Sequence, residues 1–304
     1  MTEEYRTWPE GAWQSEQFDG ARPGIVTAGV DIGTTSAQAA ILAEGSLIGW
    51  ANIRTGANFK KAADDVIEKA IGSSGLTLDR IDSIAATGFG DRNAAYASTR
   101  IDEVRAHAYG ARFMFGPSVR TVVDLGGQTV KAIRLHEWTG VRDFMMNDKC
   151  ATGFGRSVEE IADLLRVPVA DLGEKSLRPE TDPEPVSTTC YAFANPETIG
   201  LFRTGFREET SSEDEIIAAH LFAIAWRVLG VIGKLASLEI GDVSVEEGLA
   251  FTGGLAKNRG VTRRIERELK VSALESDCDP QIAGAIGAAL LAGETDAGRS
   301  ERCS

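Results

Sequence analysis

Two cysteines and two aspartates carry the chemistry open to this chain. Cys150 stands in Asn147-Asp148-Lys149-Cys150-Ala151-Thr152-Gly153-Phe154-Gly155-Arg156, just ahead of two glycines. An amphipathic run follows, Val158, Ile161, Ala162, Leu164 and Leu165, broken at Pro168. That spacing predicts a helix starting near Gly153, with Cys150 at or just before its N-terminus. Unpaired backbone N–H groups and the positive end of the helix dipole favour an anion there. A thiolate so placed has a lowered pKa and suits iron or zinc. Cys190 follows in Ser187-Thr188-Thr189-Cys190-Tyr191-Ala192-Phe193-Ala194-Asn195-Pro196-Glu197, read as a small polar turn. Free cysteine is also among the most buried residue types. These two segments alone therefore leave a pair of structural thiols open.

The aspartates belong to a repeat. Val30-Asp31-Ile32-Gly33-Thr34-Thr35-Ser36 ends one apolar strand and leads into another. The pattern returns at Val123-Asp124-Leu125-Gly126-Gly127-Gln128-Thr129, and Ala39 and Leu42 match Ala132 and Leu135. Glycines and small hydroxyl residues let backbone N–H groups approach a phosphate. An aspartate at the strand end can hold Mg²⁺ through water, because Mg²⁺ takes few carboxylates and keeps its hydration. One such turn is commonly a plain hairpin. Two in matched order point to a duplicated fold with a cleft between its halves.

The remaining elements fit two α/β lobes. Residues 62–71 and 101–109 have helical spacing, and 81–86 reads as a strand ending in Thr87-Gly88-Phe89-Gly90. A polar hinge spans 204–215, and a long apolar helix covers about 215–237. Its apolar run contains His220, Arg227 and Lys234, which favours a buried helix over a membrane span. A strand at 248–251 meets Thr252-Gly253-Gly254, then a helix over 256–269. A glycine pair there permits close approach of a flat ligand or a phosphate. The small-residue segment 280–291 predicts a tightly packed last helix.

Composition excludes several classes. The 304 residues carry a net charge of −13, against a nucleic-acid backbone binder or an anionic-membrane partner. The acidic start Met1-Thr2-Glu3-Glu4 lacks an apolar core, so a cytoplasmic chain is expected. Four cysteines without a CxxC pair argue against a disulfide framework, a zinc knuckle and a self-contained ferredoxin site. Cys278 and Cys303 match no ligand motif. The expected domains are an extension over 1–24, a first lobe over 25–118 and a second over 119–304. The extension shows no period and is read as ordered only against a partner. The last helix is expected to pack back on the first lobe.

Together these motifs resemble the acetate and sugar kinase/Hsp70/actin (ASKHA) fold, with two ribonuclease-H-like lobes around a nucleotide cleft. Asp31–Thr35 looks like its first phosphate motif, Asp124–Gln128 like the second, and Thr252–Asn258 like the adenosine motif. Within that fold, 147–156 and 187–197 resemble the BadF/BadG/BcrA/BcrD-type ATPases: activators of 2-hydroxyacyl-CoA dehydratases and subunits of benzoyl-CoA reductase. The resemblance runs from about residue 25 to 292. It implies ATP, Mg²⁺ and a [4Fe–4S] cluster shared by two like subunits, each giving two cysteines. A cubane takes four protein ligands; Cys150 and Cys190 would be this chain's pair. Thr34, Thr35 and Ser36 would touch phosphate, with Gly33, Gly126 and Gly127 shaping the turns. Asp31 and Asp124 would position Mg²⁺ and water, and Gln128 the attacking water. Gly253, Gly254 and Asn258 would receive adenosine.

Thr129 stands where activators carry an acid. Overall similarity leans to the D-type ATP-binding subunit of benzoyl-CoA reductase. The expected partners are then a homologous larger ATPase subunit, two acyl-CoA-binding iron–sulfur subunits, and ferredoxin as electron donor. A homodimeric dehydratase activator is the alternative. A cluster-free ASKHA sugar kinase and a nucleotide-sensing scaffold are readings of other classes.

Overall fold

The computed structural model describes residues 5, 8–16, 18, 24–137, 140–147, 153–208, 211–236 and 248–300. The chain divides into two compact units. One comprises 1–9, 123–132 and 143–273, and the other 10–122, 133–142 and 274–304.

The second of these is built on a six-stranded sheet, in the order β1-β4-β3-β2-β5-β6. Its strands are β1 (Gly11–Gln14), β2 (Val26–Ile32), β3 (Ser36–Ala43), β4 (Ser46–Arg54), β5 (Ser83–Thr87) and β6 (Thr99–Arg100). The β2–β3–β4 meander is antiparallel, and β5 joins β2 in parallel. Every residue of β2 is buried, as expected of a central strand covered on both faces. Val26, Ala28, Val30 and Ile32 meet Ala62, Ala63, Val66, Ile67 and Ala70 of helix α1 (Phe59–Ser74) in one core. Asn58 caps α1, its side chain accepting the Lys61 amide. Helices α2 (Glu103–Phe115) and α8 (Ala283–Ser300) belong to the same unit. Ala285 and Ile286 of α8 pack with Ala40, and Ala288, Leu291 and Ala292 pack with Ala85 and Ala106. A Cβ on Gly110 would lie 1.8 Å from the Ala283 carbonyl, and one on Gly287 1.8 Å from that of Ala106. The α2–α8 crossing therefore requires glycine on both helices.

The N-terminal segment has places of its own. Residues 11–14 pair as an edge strand with β4, while Tyr5 and Trp8 fall in the unit of 123–132 and 143–273 and pack against its core. Three of the four β1 residues are exposed, so no alternation announces the strand.

A second sheet has the order β10-β7-β8-β9, from β7 (Thr121–Leu125), β8 (Val130–His136), β9 (Gly140–Met146) and β10 (Leu249–Thr252). Its companions are α3 (Gly155–Leu165), α4 (Leu172–Lys175), α5 (Tyr191–Glu208), α6 (Glu213–Ala236) and α7 (Arg259–Leu269). Val123, Leu125, Phe154, Val158, Tyr191, Ile217, Ile224, Leu249 and Ile265 share one core. Helix α6 is long and apolar enough to cross a membrane by length and composition, yet its most apolar window is 67% buried. The polar stretch at 204–215 is mostly helical, because α5 runs on to Glu208 and α6 starts at Glu213.

Candidate functional site

The two hairpins are alike atom by atom. The Gly33 amide donates to the Ser36 carbonyl at 3.0 Å, and the Gly126 amide to that of Thr129 at 2.9 Å. A Cβ on either Gly33 or Gly126 would stand 2.8 Å from the same carbonyl. The likeness extends to a third strand. Gly88, at φ +87, faces Asp31 so closely that a Cβ would sit 2.3 Å from its Oδ1. Gly253, at φ +86, does the same to Asp124 at 2.5 Å. Thr87-Gly88 is thus the counterpart of Thr252-Gly253. Each repeat holds its aspartate at a strand end against a glycine that only a left-handed backbone fits.

The surroundings of the two acids differ. His107 of α2 places Nε2 3.7 Å from Asp31 Oδ2, and Gly284 leaves space for that oxygen, since a Cβ there would be 2.1 Å away. Asp124 instead accepts from the buried Lys131 ammonium at 2.8 Å, and Lys131 also reaches Thr129 Oγ1 at 3.3 Å. Lys131 follows Asp124 by seven residues, the place Gln38 holds opposite Asp31 in the first hairpin.

Ser36, Thr34 and Thr35 border the first turn and are partly exposed. Ser36 Oγ accepts from Gln38 Nε2 and Gln281 Nε2, both at 2.8 Å. Gln38 also donates to Asn52, and Asn52 to Gln281, each at 2.8 Å. With both lone pairs of Ser36 occupied, its hydroxyl proton is left to donate. Thr55 braces the turn, its amide on the Thr35 carbonyl (3.0 Å) and its hydroxyl on that of Gly33 (2.8 Å).

The second hairpin is tied to the helix that follows the first cysteine segment. The Gly155 amide donates to the Gly126 carbonyl (3.3 Å) and the Arg156 amide to that of Gly127 (3.1 Å). A Cβ on Gly153, at φ +52, would fall 2.2 Å from the Gly127 carbonyl. Asn147 Oδ1 takes the Val130 amide, and its Nδ2 lies 3.5 Å from the Gln128 carbonyl. Gln128 itself is partly exposed. The helix starts at Gly155, two residues later than the spacing predicts, because the intervening backbone is spent on the loop. Cys150 lies outside the described residues.

Cys190 stands at the start of α5. Its carbonyl accepts the Phe193 and Ala194 amides, both at 3.0 Å. It is half-buried and forms no disulfide. The polar turn therefore ends at Cys190. Pro196 lies just past the first helical turn and forfeits only an early backbone bond. A soft thiol at a helix start is the donor chemistry an iron–sulfur centre uses. Among the described residues no group of three or more His, Cys, Asp or Glu side chains could hold a metal ion. Cys278 is half-buried, and burial raises its pKa.

The adenosine-motif residues fall in unequal roles. Gly253 and Gly254 form the turn from β10 into a short 3₁₀ segment. Asn258 is buried as the cap of α7, its Oδ1 accepting the Val261 amide at 3.1 Å.

The sequence profile of the BadF/BadG/BcrA/BcrD ATPase family matches residues 28–292. The chain belongs to this family. The activator of lactoyl-CoA dehydratase from Anaerotignum propionicum is 35% identical over 270 residues, 89% of this chain and 98% of that protein. A solved activator of the 2-hydroxyisocaproyl-CoA dehydratase from Clostridium difficile, with bound ADPNP, superposes with a TM-score of 0.79. It is 32% identical, and the match covers 91% of this chain and 98% of that one. The fold of this family member is accordingly the ASKHA fold. The D-type polypeptide of benzoyl-CoA reductase from Thauera aromatica is 30% identical over 277 residues, 87% of this chain and 92% of that protein. The lean toward the reductase is therefore reversed: the dehydratase activators are the nearer of the two. The overall similarity on which that lean rested favours the activators instead, at 35% and 32% identity against 30% for the reductase polypeptide, and Thr129 is a single position.

Four features of this ATPase escaped the sequence reading: His107 beside Asp31, Lys131 on Asp124, Gln281 on Ser36, and His220 between helices. Lys131 was within reach, since a charge stands where the first hairpin has Gln38, seven residues after the aspartate. The others depend on contacts between distant segments.

Proposed function

We propose that this ATPase is an activator of a 2-hydroxyacyl-CoA dehydratase, using ATP hydrolysis to deliver an electron to a partner enzyme. Its similarity to the activators supports the substrate class of that partner. The observation that carries the coupling is the pair of hydrogen bonds donated by the Gly155 and Arg156 amides to the carbonyls of Gly126 and Gly127. A shift of the second phosphate loop is thereby passed to the start of α3, which follows the Cys150 segment in sequence.

In this reading each of the two loops is a phosphate-binding loop. Thr34, Thr35 and the Ser36 hydroxyl donate at the first, and the amide of Gly127 at the second, where the Gly126 amide is committed to the Thr129 carbonyl and holds the turn. Asp31 positions Mg²⁺ and its water shell, and Gln128 orients the attacking water. Asp124 acts with its charge compensated by Lys131, so it holds the loop and adds little to metal binding. Gly253 and Gly254 let adenosine approach, and Asn258 shapes their turn. Cys150 and Cys190 hold a [4Fe–4S] cluster together with the matching pair of a second protomer. When bound, that cluster supplies a low-potential one-electron relay. Electrons would come from ferredoxin.

Anaerobic purification of wild type and of the Cys150→Ser/Cys190→Ser double variant tests this reading. The expected result is an iron–sulfur electron paramagnetic resonance signal in wild type only, with ATP hydrolysis kept in both. A colourless wild type with full ATPase activity sinks the relay and leaves a cluster-free phosphotransferase. A D-type ATP-binding component of benzoyl-CoA reductase stays as the second reading, favoured by the 30% relative; co-purifying acyl-CoA-binding iron–sulfur proteins would mark it.

A further inference from the structure

His220 is a fully buried histidine in the apolar run of α6, and the ATPase chemistry does not use it. Its Nε2 lies 2.8 Å from Ser157 Oγ of α3, and its Nδ1 2.9 Å from Thr198 Oγ1 of α5. Ser157 also contacts Asn195 Oδ1 of α5 at 3.1 Å, and Asn195 donates to Glu160 of α3 at 2.7 Å. One imidazole thus bridges the two helices that open beside the cysteine segments.

Counting protons sharpens the role. Thr198 also lies 2.9 Å from the Ala194 carbonyl. Four contacts exist: Ser157–Asn195, Ser157–His220, Thr198–His220 and Thr198–Ala194. Each hydroxyl has one proton, and a neutral ring has one. Three protons serve four contacts, so one contact is always without a proton while the ring links hydroxyls of both helices in one chain of contacts. A protonated ring would satisfy all four, but burial and the Arg227 charge hold it neutral, with its pKa lowered to about 3. Chains of packed, hydrogen-bonded side chains of this kind carry coupling between sites.

We propose that His220 is a positioning residue that makes α3 and α5 move as one body. Displacement of the loop at Gly126 and Gly127 then reaches Cys190 as well as the Cys150 segment. The route is continuous within one unit: loop carbonyls, the first amides of α3, Ser157, His220, Thr198 and α5. The inference rests on the cluster reading.

The test compares wild type with His220→Leu, His220→Gln and Ser157→Ala, all purified anaerobically. Iron content is measured first. The rate at which bathophenanthroline disulfonate strips the iron is then recorded with ADP and with ATP. For wild type the two rates should differ by about fivefold or more, the lower end of ordinary coupling. His220→Leu and Ser157→Ala should bring the ratio close to unity, with ATP titrating as in wild type. His220→Gln should keep it, because an amide offers one donor and one acceptor. Should the leucine variant not fold, Ser157→Ala decides alone. Iron-loaded variants that respond as wild type does overturn the role of His220 and leave the relay standing. Wild type without iron overturns the relay and this inference together. Wild type with iron but one rate in both nucleotides overturns the inference.

Discussion

Phe154 and Tyr191 meet edge to face, with ring centroids 5.6 Å apart and planes at 83°. Phe154 introduces α3 and Tyr191 is the first residue of α5. The Arg227 guanidinium lies over both rings, 3.7 Å from the Tyr191 centroid and 5.0 Å from that of Phe154. The structure thereby brings together the residues that follow the two cysteine segments. Tyr191 is fully buried, so its replacement by alanine leaves a cavity and removes an aromatic pair. Tyr191→Ala is expected to lower stability by about 3–5 kcal/mol. Chemical denaturation checks it; a change below about 1 kcal/mol means the two segments do not depend on this contact.

Gly284 is a second point of dependence. It lies in α8, and a Cβ there would stand 2.1 Å from Asp31 Oδ2 and 3.2 Å from His107 Nε2. Alanine has the better helix propensity, so any loss must come from the carboxylate being pushed aside. Gly284→Ala should weaken Mg²⁺-dependent nucleotide binding while the helix content is kept. Calorimetric titration with ATP analogue, with and without Mg²⁺, reads this directly. Equal affinities for wild type and variant would show that the position of Asp31 is unimportant.

The stability of the protein should carry a signature of His220. Its unfolded value is near 6.5, and burial first, then Arg227, lowers the folded value to about 3. Between those values the unfolded chain binds a proton that the folded chain refuses. The contribution is complete above pH 6.5 and is lost as pH falls toward 3, at up to about 1.4 kcal/mol per pH unit. Melting temperature should therefore fall from about pH 6.5 to about 4.5 more steeply in wild type than in His220→Gln. Asp182, whose burial is outweighed by Arg267 and Arg264 so that its carboxyl lies below the usual range, acts only at lower pH. Parallel pH profiles for the two proteins would remove His220 as the cause.

The hairpins were legible in the sequence because each packs its signal into seven contiguous residues: an apolar strand, an aspartate, glycine and small hydroxyls. The third match, Thr87-Gly88 with Thr252-Gly253, is only two residues long and emerges from the Cβ positions. Helix α5 was hidden by Pro196 and by the polar Ser187-Thr188-Thr189 before it. Edge strand β1 has too few buried residues to alternate. The partners of His220 are 63 and 22 residues away in the chain, and helical periodicity says nothing about such pairs. The cysteines stand out in the sequence by their turn context, whereas the contact between Phe154 and Tyr191 links residues far apart in the chain and shows only in the structure.

Lys131 and Asp124 give the sharpest energetic test. Their side chains are 4% and 3% exposed and lie 2.8 Å apart. A buried pair is costly to assemble, and removing one member is worse, because the other charge loses its compensation in a dry site. Lys131→Met should destabilise by about 3–5 kcal/mol, whereas Lys131→Met with Asp124→Asn should recover part of that loss. Unfolding of the two single variants and the double variant gives the coupling energy. The same set separates holding the loop from binding metal. If Asp124 mainly anchors the loop, the double variant keeps the Mg²⁺ dependence of nucleotide binding while its affinity falls. If Asp124 is a metal-positioning acid equal to Asp31, that dependence disappears with it, and the division of labour between the two hairpins is wrong.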